Sequence, residues 1–199
     1  MRLPALAFLA VGTIVVPLAD ASSAARIGVI VFTRGDARLV YAMRPDGSRL
    51  RLLTRLPAKS DTPSISPDGR WVAYVMAQGR EERDDIFIRR LGTSSTRRVT
   101  DDVLNEGRPS WSPDGKRIVF FWSHEIWTMR ADGSHKLRLT RDSELDSGPV
   151  WSPSGRKIAW TRQQESLAPA VYVMNADGSG RRRLRTASLH GIVDWRILR

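Results

Sequence analysis

The side chains best equipped for chemistry are carboxylates, and they gather in a few irregular stretches of the chain. Asp142-x-Glu144-x-Asp146-x-Gly148 alternates acids as the start of a calcium loop does. Its glycine comes one place late for the EF-hand spacing and no glutamate closes the loop, so the stretch is read without a bound metal. Asp61, Asp101, Asp102 and Glu106 supply further acids in other connections. Gathered on one face, such groups attract a partner with a basic patch or a ligand assisted by a cation. The other reactive side chains offer less. His124, His135 and His190 stand apart, without the spacing or repetition of a metal set. No Gly-x-Ser-x-Gly elbow presents a serine nucleophile. The chain has no cysteine, which excludes a thiol nucleophile, a cysteine-held metal, a disulfide staple and a lipid-bearing cysteine. The expectation is a binding protein with no catalytic residues and no cofactor.

What must position those acids is a repeat. Ser-Pro-Asp-Gly begins at Ser66 and Ser112, and Ser-Pro-Ser-Gly at Ser152, giving periods of 46 and 40 residues. A second phrase recurs between them, as RPDGS from Arg44, RADGS from Arg130 and NADGS from Asn175, with RLGTS from Arg90 a degenerate copy. Ahead of these stand the aromatics Tyr41, Phe87, Trp127 and Tyr172, and a third series, Phe32, Tyr74, Phe120 and Trp160, follows the first turn. After each second turn comes a basic segment ending in threonine. Pro67 and Pro113 pre-set φ, Asp68 and Asp114 tolerate the next place, and Gly69 and Gly115 supply positive φ at the exit. Pro153 and Gly155 do the same in the third copy. Asp-Gly between apolar-alternating runs is likewise a hairpin signal. Each unit therefore reads as a four-stranded antiparallel meander, with strands near 108–112, 116–122, 125–130 and 136–140 in the third.

Four strands per unit of about 40–45 residues mark propeller blades. The wording W-SPDG-x-x-I-x-F, then I-W-x-M-x-A-D-G-S and R-L-T, closely resembles the propeller repeats of the TolB family across nearly all of the chain after residue 25. The resemblance implies an all-β fold, a β-propeller; four four-stranded antiparallel blades are expected near 28–54, 62–100, 108–140 and 148–186. The first unit lacks an inner strand, and GIVDW at 191–195 repeats the place of Trp111 and Trp151, so residues 191–197 are expected to complete the first blade. A closed monomer and a dimer exchanging terminal strands both satisfy this. The resemblance does not extend to the α/β domain of TolB, so roles resting on that domain are not expected to transfer.

Arg2 followed by the apolar run Leu3–Ala19 reads as a secretory leader, residues 1–21, cut after Ala21 or Ala25; an uncleaved anchor is the other reading. The expected location is periplasmic or secreted. In a meander the two turn phrases share one face and the longer connections the other. This layout puts twelve of the 21 acidic residues, the seven carboxylates named above included, on the loop face. The net charge of +11 falls largely on the outermost strands, where arginines guard an edge against aggregation or form a belt for an anionic polymer. Nucleic acid is not expected as a partner, because the aromatics sit at core positions rather than between the basic runs. The reading is an exported propeller binding an envelope or extracellular protein or ligand. A small propeller-fold enzyme of sugar-lyase type and a structural remnant of a longer propeller protein stay open beside it.

Overall fold

β-Branched and aromatic runs separated by Asp-Gly turns should give short antiparallel strands, and the chain consists of them. The computed structural model describes residues 14–17, 28–34, 38–44, 46–79, 83–101, 106–142, 144–164 and 167–184. Among them are sixteen strands and no helix. The first sheet holds β1 (Ile14–Pro17), β2 (Gly28–Arg34), β3 (Leu39–Met43) and β4 (Arg51–Arg55). The second holds β5 (Ser60–Ile65), β6 (Trp71–Gln78), β7 (Arg83–Arg90) and β8 (Thr96–Arg98). The third comprises β9 (Glu106–Trp111), β10 (Arg117–Trp122), β11 (Glu125–Arg130) and β12 (Leu137–Arg138). The fourth comprises β13 (Leu145–Trp151), β14 (Lys157–Gln164), β15 (Leu167–Asn175) and β16 (Arg182–Arg183). Each sheet is a meander in chain order, every neighbour antiparallel, as a four-bladed propeller requires.

The place beside β2 is taken by Ile14–Pro17, with Val15 opposite Ile30; residues 191–197, expected to complete this blade, lie outside the described residues. Ile14, Val15 and Val16 are β-branched, which suits them to a strand. β1 also lies inside the segment read as a leader.

The two aromatic series are cross-strand partners. Phe32 faces Tyr41, Tyr74 faces Phe87, Phe120 faces Trp127 and Trp160 faces Tyr172, one pair per sheet. Ring centroids in the first, second and fourth pairs are 5.8, 5.9 and 5.6 Å apart. Such pairs contribute about 0.5–1.5 kcal/mol beyond the area they bury. Apolar clusters then join neighbouring sheets. Val31 and Val40 meet Ile65 and Tyr74 between the first and second; Ile86 and Ile88 meet Trp111 and Phe120 between the second and third; Val119 and Ile126 meet Trp151 and Trp160 between the third and fourth.

The conserved phrasing inside the chain has a contact to explain it. A Cβ placed on Gly115 would touch Pro67 Cδ at 3.7 Å, and one on Gly155 would touch Pro113 Cδ at 3.6 Å. Each Ser-Pro-Asp-Gly proline thus leans on the next turn's glycine, which also needs its φ of +69°. The terminal threonines explain themselves too. Thr100 and Thr140 are buried and accept the backbone N–H of Ile86 and Ile126 through Oγ1, each at 2.8 Å, capping a donor the short outer strand leaves open.

Candidate functional site

The loop-face acids separate into two groups. Asp61, on β5, is exposed and accepts the Thr62 N–H at 2.6 Å, and Asp101 is exposed beyond β8. Asp102 and the side chain of Glu106 lie outside the described residues. The remaining three are drawn inward. Asp146 stands opposite Arg162 in the β13–β14 register and is fully buried; its Oδ1 accepts from Arg162 Nε at 2.7 Å and its Oδ2 from Nη2 at 2.9 Å. Arg162 Nη2 also reaches Asp142 Oδ1 at 2.8 Å, and Arg181 Nη1 lies 3.4 Å from Asp142 Oδ2. Glu144 accepts from Gln164 Nε2 at 3.2 Å. The cation among the alternating carboxylates is therefore the chain's own arginine: Asp146 is buried against it, while Asp142 and Glu144 stay part-exposed. A strand reverses side-chain direction at each residue, and the register brings a basic partner to the inward one.

Arg162 is 8% exposed. Burial opposes its charge, but Asp146 first and Asp142 second more than offset that and raise its pKa. Its guanidinium also stacks 4.9 Å from the Tyr172 ring centre. A related pairing binds the outer strands, Asp85 with Arg98 at 2.7 Å and Glu125 with Arg138. Arg97 and Arg181 instead donate to backbone carbonyls of a neighbouring sheet, Arg97 to Asp132 and Ala131, Arg181 to Leu139. Part of the basic outer set thus holds the blades together, while Arg51, Arg182 and Arg183 remain exposed.

A concavity lies on the other face. Between the Ser66 and Ser112 turns opens a cleft of about 580 Å³, bounded by Pro67, Trp71, Trp111, Pro113 and Arg97. That is within the range of ligand-sized pockets. Trp71 is 38% exposed, whereas Trp111 is nearly covered and donates its indole N–H to the Ser64 carbonyl at 3.1 Å. The turn serines are occupied. Ser66 Oγ donates to Asp68 Oδ1 at 2.5 Å and accepts the Trp71 N–H at 2.9 Å; Ser112 does likewise with Asp114 at 2.6 Å and with the Arg117 N–H at 2.9 Å. In the third copy Ser154 replaces the aspartate, and Ser152 Oγ lies 3.2 Å from Ser154 Oγ. Asp114 is held below the usual carboxylate range: partial burial works against its charge, but the Ser112 hydroxyl and the Lys116 N–H prevail. Asp132 is lowered first by the Ser134 hydroxyl and then by its N–H. What the cleft can do is bind: it presents aromatic faces and carboxylates whose geometry the turns fix.

Trp71 and Arg162 were not picked out from the sequence. A signal for Trp71 existed: it stands where the other units carry Arg117 and Lys157, and so breaks the repeat. Of the histidines, His124 forms the β10–β11 turn with Ser123, both at positive φ (65° and 49°), and its carbonyl accepts the Asp146 N–H at 2.9 Å. That is the geometry of a two-residue hairpin loop. Among the described residues no group of three or more His, Asp or Glu side chains is placed to hold a metal ion.

A family model described as the TolB beta propeller domain matches residues 24–192. The chain is 33% identical over 103 residues to the Tol-Pal system protein TolB of Alcanivorax borkumensis, half of this chain and 23% of that protein. It is 41% identical over 150 residues to the Protein TolB homolog of Chlorobium luteolum, 73% of this chain and 34% of the relative. It therefore spans about a third or less of these curated relatives. Among solved structures it resembles a putative TolB from Agrobacterium tumefaciens, with a TM-score of 0.65 and 28% identity over 79% of this chain and 60% of that one. TolB from Acinetobacter baumannii gives 0.67 at 20% identity, over 81% of this chain and 41% of that one, a likeness of fold.

Proposed function

Because the chain belongs to the TolB beta-propeller family, we propose that it is an exported propeller without catalytic activity, which binds a protein or ligand of the cell envelope or extracellular space. The observation that carries this is the family match over residues 24–192, joined to sequence relatives named for the Tol-Pal system. Export is supported by the leader-like run Leu3–Ala19 with its small-residue sites at Ala21 and Ala25. No helix among the described residues is long and apolar enough to cross a membrane. A binding role agrees with Ser66 and Ser112 being committed to turn hydrogen bonds rather than paired with a base. On the loop face Asp61, Asp101, Asp102 and Glu106 form the acidic patch of this reading, suited to a basic partner surface.

Two measurements test it. Protein recovered from the host envelope should begin at Ser22 or Arg26; an intact N-terminus in the cytoplasmic fraction would remove export. Affinity capture from that envelope with the tagged chain should enrich a defined partner. Reversing Asp61, Asp101, Asp102 and Glu106 together to lysine should weaken that capture, and unchanged capture would remove the loop face from the proposal.

A further inference from the structure

The same structural place is held by an arginine at one seam between sheets and by a tryptophan beside a cleft at another. Between the third and fourth sheets, the Arg117 guanidinium stands 4.6 Å from the centre of the Trp151 ring. Arg117 opens the second strand of its blade, and Trp151 ends the inner strand of the next. Between the second and third sheets, the residues at those two positions are Trp71 and Trp111. Among the described residues no guanidinium stacks over Trp111, and a cleft of about 580 Å³ lies beside it. We propose that this cleft receives an arginine side chain from an extended segment of a partner protein, seated where the chain seats its own Arg117 one blade further on.

The charges around the cleft suit a cation. Asp68, Asp114 and Asp132 line it, and their recorded hydrogen bonds run to Oδ1 alone, leaving Oδ2 of each without a protein partner among the described residues. Arg97, the cation in the lining, spends its guanidinium on the carbonyl oxygens of Asp132 and Ala131 at 3.1 and 3.2 Å. Trp71 and Trp111 provide the aromatic faces on which a guanidinium stacks, and the flanking Pro67 and Pro113 are rigid walls. The volume exceeds one side chain, so flanking backbone of an extended segment enters with it.

The site rests on the reading of the chain as a binding protein, but its test does not need the native partner. The probe is acetyl-glycyl-arginyl-glycine amide, titrated into the full chain while the Trp71 indole N–H is followed by NMR. The control is the same peptide with citrulline, which keeps the shape and loses the charge. The arginine peptide should shift Trp71 and bind about tenfold more tightly than the citrulline peptide. Trp71→Arg, which restores the residue type of the filled seam, should abolish binding while leaving the melting temperature near the parent's. Asp68→Asn with Asp114→Asn should weaken binding several-fold. Equal binding of both peptides, shifts confined to other tryptophans, or undiminished binding by Trp71→Arg overturns the proposal, and the comparison of peptides on the unmodified chain decides it without any variant. Failure of the peptide with envelope capture intact would remove the cleft alone; failure of capture with the peptide bound would remove the envelope reading alone.

Discussion

The seam between the second and third sheets and the seam between the third and fourth are built from the same repeat and finished differently. Both rest an inner-strand tryptophan against the preceding blade, and both lean a turn proline on a turn glycine. The later seam is then closed by arginines, Arg117 over Trp151 and Arg181 on Leu139 and Asp142, while Arg162 pairs with Asp146 inside the fourth sheet. The earlier one has Arg97 across it and a cleft beside Trp71. A repeat sets how blades meet; the residues that depart from it decide whether a seam is sealed or left to a partner.

The largest effect should come from the buried ion pair of the fourth sheet, beside the sealed seam. Arg162→Ala leaves the buried Asp146 without a counter-charge and should cost about 3–5 kcal/mol, read as a lowered melting temperature or denaturation midpoint. If the loss is no larger than for the exposed Arg183→Ala, the ion pair is not what holds the inner strands of that sheet together. Next, Gly133→Ala strikes the earlier seam. Its φ is +84°, and the new Cβ would lie 2.7 Å from the Val99 carbonyl oxygen, so a loss of about 2 kcal/mol is expected. A stable Gly133→Ala protein would show that this seam yields.

How much of this was legible in the sequence follows from the range of the interactions. The turns, the aromatic partners of each blade and the strand count are local and repeat, so they could be read directly; the third unit was placed within about two residues at each strand. The Asp146–Arg162 pair was not, because its partners lie on two strands and meet only through register. Spacing alone made Asp146 look like a loop acid. The strand expected at 191–197 lies outside the described residues, and two segments of the chain share β-forming character beside β2. Trp71 could have been seen as a departure from the repeat, but the space it borders belongs to two blades at once.

Smaller changes sharpen the contrast. Arg117→Ala should cost only about 0.5–1 kcal/mol, yet it should open a second cleft over Trp151 that binds the arginine peptide; a variant that gains no binding would show that Trp71 contributes more than vacancy. The smallest effect is on acid sensitivity. Asp114 is more acidic folded than unfolded, so its contribution is complete above the ordinary carboxylate range and fades as pH falls through the lower folded value. Asp114→Asn should therefore flatten the fall in stability below about pH 4 while leaving its shape near neutrality unchanged. An identical acid limb in both proteins would place the titrating group elsewhere.

The proline that leans on the following glycine gives the third unit a plug on one side and a socket on the other. A gene encoding such a unit can lengthen by copying itself, since each new blade arrives already fitted to its predecessor. The number of blades is then a question of how tightly the row can curve, and lineages can change it without inventing a new joint.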